Sequence, residues 1–186
     1  MSRFLALLCG ALLLGAGAVR ADEYSDTVEL FRNAGESAEF FRSCYGYAVF
    51  PTVGKGGFVV GGAYGKGHVF AQGKYTGDAA VTQLSVGFQA GGQAYSQIVF
   101  FENRTAYDEF TNGSFEFGAD VGAVAITAAA SATAGTTGAS ATASGGRKDA
   151  VTTGRYYKGM AVFVIVKGGA MYQATVAGQK FTFTPK

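Results

Sequence analysis

The sequence predicts an α+β fold that is mainly antiparallel β: one multi-stranded, glycine-rich sheet with an N-terminal helix and a short helix near 103–112. Three observations carry this. Apolar residues over 22–44 recur at spacings of three and four, the period of one helix face. From Tyr45 onward the pattern changes to short runs or alternations of β-formers, separated every few residues by glycine. The connections between those runs are only a few residues long, and parallel neighbours would need crossovers of a dozen or more. With 16 Phe and 10 Tyr, and only 15% of residues charged, 186 residues can bury the core of one domain.

The chain opens with a basic start, Met1-Ser2-Arg3, then a Leu- and Ala-rich run over 4–18 and the small-residue site Val19-Arg20-Ala21. This is the anatomy of a signal peptide over 1–21. The apolar run is shorter than the roughly 20 residues that span a bilayer. Cys9 lies inside it, where a lipoprotein signal would need the cysteine just after. The expectation is export to the periplasm or beyond, with 22–186 as a single mature domain. Arg3 and Arg20 leave with the leader, which makes 13 basic residues against 13 acidic. A neutral mature chain gives no footing for nucleic acid. Only Cys44 remains of two cysteines, so no internal disulfide forms, and one histidine, His68, cannot build a Cys/His metal cluster.

Residues 24–43 form the predicted helix, with Tyr24, Val28, Phe31, Ala34, Ala38 and Phe41 on one face. Such a helix either lies on a membrane or packs across the domain's own sheet. Its polar face carries six acids against Arg32 and Arg42, whereas lipid-lying helices have a basic one, and this favours packing.

Strands are predicted over 45–50, ending at Pro51, over 58–64 after a Gly54-Lys55-Gly56-Gly57 turn, and over 69–75 after a Gly65-Lys66-Gly67 turn. Residues 79–90 alternate as a half-buried strand should, and Gly91-Gly92 turns the chain into 95–101. Asn103 caps a short helix carrying Tyr107 and Phe110, which Asn112-Gly113 ends. The small-residue stretch 118–146 reads as a hairpin, entered by a period-two run from Phe115 to Ala125. Strands over 151–157, 160–166, 170–176 and 180–184 follow, with turns at Lys167-Gly168-Gly169 and Ala177-Gly178-Gln179.

The glycine-lysine pairs invite a phosphate-loop reading, and it fails. A P-loop needs G-x-x-x-x-G-K followed by Ser or Thr; here Gly67 follows Lys66, and Val60 stands five before Gly65. A dinucleotide fingerprint needs a long helix after its glycines, where this sequence has strands. Enzyme chemistry finds no convergent acid and base: Asp108 with Glu109, and Glu116 with Asp120, suit solvated surfaces, and G-x-S-x-G is absent. No enzyme activity and no cofactor are expected.

Four strings occur in order: YAVFPTVGKGGFVVGGAYGKGHVF, IVFFENRTAYDEF, FEFGADVGAVA and YYKGMAVFVIVKGGAMYQ. Together they resemble the SYLF domain, or Ysc84 family, over about 24–183. That resemblance implies binding of acidic phospholipid headgroups, phosphatidylinositol lipids included, without enzyme chemistry. It also implies an amphipathic helix at the domain's start that engages membrane, here 24–43 with Phe31 and Phe41 on its apolar face. No SH3 or FYVE module is read in the sequence, and for an exported chain phospholipid in general is the better expectation than phosphoinositides.

Lys55 and Lys66 are the leading headgroup candidates, because glycines beside them leave backbone amides open to an anion. Tyr156 and Tyr157 with Lys158 form an aromatic-basic cluster suited to an interface, one of the two tyrosines facing the core because neighbours on a strand point opposite ways. Lys158 and Lys167 are weaker headgroup candidates than Lys55 and Lys66. The competing expectation is a structural envelope protein that binds protein partners or assembles through sheet edges.

Overall fold

The computed structural model describes residues 15–57, 60–86, 91–118, 124–126, 155–169, 176 and 178–186. They form helices α1 (Gly15–Arg32), α2 (Gly35–Ala38), α3 (Phe40–Ser43) and α4 (Arg104–Thr111), and strands β1 (Gly46–Gly57), β2 (Val60–Ala71), β3 (Lys74–Val86), β4 (Gly91–Phe101), β5 (Ser114–Glu116), β6 (Val124–Ile126), β7 (Met160–Gly169) and β8 (Gln179–Pro185). The strands make one sheet in the order β5-β8-β3-β2-β1-β4-β7-β6. The expected α+β, mainly antiparallel architecture is what the chain adopts. β6 alone among the described pairs runs parallel to its neighbour, β7, and the chain between them is long enough for a crossover.

The sheet is rolled. Laid flat, its seven strand spacings would set β5 and β6 about 34 Å apart. Only eight residues lead from Glu116 to Val124, and they reach at most about 28 Å. Side chains on distant strands accordingly meet inside: the amides of Gln97 on β4 and Gln179 on β8 exchange hydrogen bonds of 2.8 and 3.0 Å. Alternate residues therefore face two cores. Phe50, Val53, Val69, Val81, Val99, Val162 and Phe181 fill the roll. Val49, Ile98, Phe100, Phe163 and Ile165 lie on its outer face under the N-terminal helices. Phe110 of α4 closes one end of the roll, its ring 4.9 Å from Phe101 and 5.0 Å from Phe181.

Strand boundaries differ from the sequence reading, and glycine is the reason. Gly54 to Gly57 and Gly65 to Gly67 are not turns; they lie inside twelve-residue strands. A Cβ on Gly67 would stand 2.5 Å from the Phe50 ring, and one on Gly65 would stand 2.8 Å from Val53 Cγ2. Both face the bulge where β1 shifts register between Val49 and Val53. Pro51, which has no N–H for the ladder, sits at that bulge inside a central strand, and the Ser96 hydroxyl donates to its carbonyl at 2.7 Å. The real turn is Gln72-Gly73, both at positive φ, as a two-residue hairpin requires. Gly91, Gly92 and Lys167 to Gly169 likewise continue β4 and β7. Of the period-two run expected over 115–125, the two ends belong to β5 and β6, at opposite edges of the sheet, and 119–123 lie outside the described residues.

The single helix expected over 24–43 is three. The Ser37 hydroxyl points back at the carbonyls of Phe31 (2.6 Å) and Ala34 (2.9 Å), closing the end of α1 where Asn33 and Ala34 leave the helix. α4 agrees with expectation: Asn103 Oδ1 accepts from the Ala106 N–H at 3.0 Å, and Gly113 follows at φ +91. Of the hairpin expected over 118–146, all but Gly118 and Val124–Ile126 lies outside the described residues, as do the strand over 170–176 apart from Val176 and most of the one over 151–157.

Candidate functional site

The six expected site residues are dispersed. Phe31 is fully buried between α1 and the sheet, and Phe41 packs edge-on against Phe100 with their centroids 4.8 Å apart. Both therefore serve the outer core, and Phe31 offers no surface to a lipid in this packing. Tyr157 and Lys158 do meet, the ammonium lying 5.2 Å from the ring centroid, a cation–π contact. Their turn precedes Met160, which pairs with Phe101 at the α4 end, whereas Lys55 pairs with Gln93. Eight residues of β4 separate those levels, about 26 Å.

Lys55 and Lys66 lie on opposite faces of the sheet. Lys55 pairs with Ala63, an inner-core residue, so its stem enters the mouth of the roll. Burial lowers its pKa below the usual lysine value. Lys66 pairs with Ala80, next to the inward-facing Ala79, and so points outward into solvent. The two candidate lysines are thus placed on opposite faces by the period of two.

The register nonetheless gathers charge and apolar surface at the end of the roll away from α4. On the outer face Gly62 faces Leu84; the next outward-facing row is Gly54, Tyr64, Thr82, Lys180 and Glu116; the following one is Lys66, Ala80 and Thr182; then come His68, Asp78 and Thr184. Leu84 is 85% exposed and Tyr64 52%, the two large exposed hydrophobics among the described residues. Lys180 pairs with Glu116 at 3.4 Å. Lys55 lies on the inner face in the row between those of Leu84 and Tyr64. On β7, Lys167 reaches across to donate to the Thr52 hydroxyl at 3.1 Å. Four lysines from four strands thus ring an apolar tip. The sequence singled out Lys55 and Lys66, with Lys167 as a weaker candidate; alternation placed Leu84 on one face of a strand without saying that this face stays exposed.

Beside the tip, a groove of about 540 Å³ runs along the seam between α1 and the sheet, with Lys66, Glu23 and Asp78 on its rim. Its far wall is a stack of Tyr24 on His68, ring centroids 3.5 Å apart and 7° from parallel. His68 Nε2 lies 3.3 Å from Asp78 Oδ1. Burial lowers the His68 pKa while Asp78 pulls the other way, so the ring is neutral at pH 7. The Tyr75 hydroxyl donates to the same carboxylate at 2.7 Å, and burial together with that bond pushes the Tyr75 pKa up to about 12. Glu23 accepts from Thr52 at 3.2 Å. Beyond the stack a second groove, about 440 Å³, is walled by Tyr47, Phe70, Tyr75 and Arg32.

Among the described residues no three His, Cys, Asp or Glu side chains converge as a metal site, and no helix is long and apolar enough to cross a membrane. Cys44 is half-buried, and burial raises its thiol pKa against the pull of Arg32.

Residues 82–183 match the Ysc84 family, described as Las17-binding protein actin regulator. The chain is also 27% identical over 157 residues to Beta cell expansion factor A of Aeromonas veronii, a match spanning 83% of this chain and 51% of that protein. The chain thus spans about half the length of that relative.

Proposed function

Because the chain belongs to the Ysc84 family, we propose that it is an exported, non-enzymatic protein that docks peripherally on anionic phospholipid surfaces, by the end of its rolled sheet that carries Leu84 and Tyr64. The observation that carries this reading is the exposed apolar pair ringed by Lys55, Lys66, Lys167 and Lys180. The dimensions suit a bilayer. Tyr64 and Lys66 are two residues apart on one strand, about 6.6 Å, and the polar layer on each side of a bilayer is about 5–7 Å deep. With Leu84 and Tyr64 at the acyl boundary, Lys66 stands at the level of the phosphates. Each lysine near an anionic surface contributes about 1 kcal/mol.

In this reading Phe31 and Phe41 support the site by holding α1 and α3 to the sheet, and Tyr157 with Lys158 lies outside it. Assembly through sheet edges has less to work with: the outermost described strands, β5 and β6, are three residues each, and short edge strands resist pairing. The test is co-sedimentation of the purified protein with phosphatidylcholine vesicles, with and without phosphatidylglycerol. Binding is expected to the anionic vesicles and to fall when Leu84 and Tyr64 become Ser. Failure to bind vesicles of any composition at any salt concentration overturns the proposal.

A further inference from the structure

The groove beside the tip has a chemistry of its own. Its volume, about 540 Å³, is within the range of small-ligand sites. Tyr64 stands at one end and the Tyr24–His68 stack at the other. Tyr64 and His68 are four residues apart on the same face of β2, about 13 Å. Between them the outward-facing residues include Gly54, Ala80 and Thr182, whose side chains are small.

The rim mixes donors and acceptors. Lys66 donates, the threonine hydroxyls of Thr182 and Thr184 do either, and Glu23 and Asp78 accept. Two carboxylates face the Lys66 ammonium, the Lys167 ammonium held at Thr52 and a neutral imidazole, so the groove has no cationic excess with which to select a phosphate. A wholly apolar ligand would bury those polar groups without partners, at a cost. A pyranose ring answers both conditions. One of its faces presents C–H groups, weakly positive, to the negative face of an aromatic ring, and its edge is a ring of hydroxyls that donate to carboxylates and accept from ammonium and hydroxyl groups.

We propose that this groove binds a pyranose sugar, presented either as the headgroup of a neutral glycolipid or as a free oligosaccharide. The glycolipid source rests on the membrane-docking reading, since the groove opens beside the tip that would meet the bilayer; the free-sugar source does not.

The experiment has two arms. In the first, the ¹⁵N-labelled protein is titrated with maltotetraose, cellotetraose and the N-acetylglucosamine tetramer, each to about 10 mM, which would saturate a site with a Kd of ~1 mM. In the second, phosphatidylcholine vesicles are compared with the same vesicles containing galactosylceramide. The expected results are saturable amide shifts centred on Lys66, His68 and Ala80 with at least one oligosaccharide, or enhanced sedimentation with galactosylceramide. A80L, a substitution on the solvent-facing surface of the sheet that fills the groove floor, is expected to weaken either signal by about tenfold or more. It should leave sedimentation with phosphatidylglycerol vesicles intact, because Leu84 and Tyr64 are untouched. Absence of both signals overturns the sugar site, and so does a signal that A80L leaves unchanged. Loss of phosphatidylglycerol binding in Leu84→Ser, whose site lies outside the groove lining, with sugar shifts retained, separates the two surfaces.

Discussion

Gly67 marks the point where β2 passes closest to the bulge of β1. A methyl there meets the Phe50 ring at 2.5 Å and the Val49 carbonyl at 2.8 Å. Gly67→Ala is expected to destabilise the protein by about 1–3 kcal/mol, the usual cost of overpacking, read as a lower midpoint in urea. Gly54→Ala is the control, since a Cβ there meets nothing within 4 Å. Tyr95 gives a second residue-level prediction. Its hydroxyl, buried in the roll, accepts from Gln179 Nε2 at 3.0 Å, and burial pushes its pKa up to about 12. The folded pKa exceeds the unfolded value of about 10, so the stabilisation is present below pH 10 and is lost as pH rises toward 12. Relative to Tyr95→Phe, the native protein should lose about 2 kcal/mol across that window, measured by denaturant titration at each pH. Below pH 10 the Phe variant should be the less stable of the two, because Gln179 loses an acceptor.

At the scale of elements, α4 was legible because its signals are local: Asn103 before it, Asn112-Gly113 after it, and two aromatics on one face. The glycine-rich strands were not, because glycine marks both turns and close approaches, and only the neighbouring strand tells them apart. Lys66 illustrates this. Read in a turn, it is a headgroup candidate beside open backbone amides; within a continuous β2 it points outward, on the face opposite Lys55. The docking tip was hidden for a related reason. Alternation puts Leu84, Thr82 and Ala80 on one face, but which face stays bare depends on where α1 to α3 lie, and they cover β1, β4, β7 and the His68–Phe70 end of β2. The tip makes a graded prediction. Lys66→Glu exchanges an attraction of about 1 kcal/mol for a comparable repulsion, so affinity for anionic vesicles should fall roughly 30-fold. Leu84→Ser should weaken binding to all vesicles that bind at all. An unchanged affinity in Lys66→Glu would remove that lysine from the interface.

For the molecule as a whole, the proposed mature chain 22–186 has 13 basic and 13 acidic residues, which leave no net charge to draw it to a membrane. Attraction must come from arrangement, with lysines of four strands at one end of the roll. Raising salt from 0.1 to 1 M shortens the screening length from about 10 to about 3 Å, and sedimentation with anionic vesicles should fall accordingly. The export reading is checked by the mass of protein recovered from the envelope of expressing cells: an N-terminus at Asp22 is expected, and an intact Met1 chain there would count against it. The roll itself was beyond the sequence, since it is closed by contacts such as Gln97 with Gln179, 82 residues apart.

The order of the strands also governs timing. β8 comes after every other described strand, yet it lies between β3 and β5 and supplies Phe181 and Gln179 to the interior. Until those last residues leave the ribosome, β3 is a thirteen-residue strand with one ladder unmatched, an edge long enough to recruit a neighbour. Synthesis therefore yields a chain that cannot shut itself early. For a chain truncated before Gln179, that open edge becomes a route to aggregation.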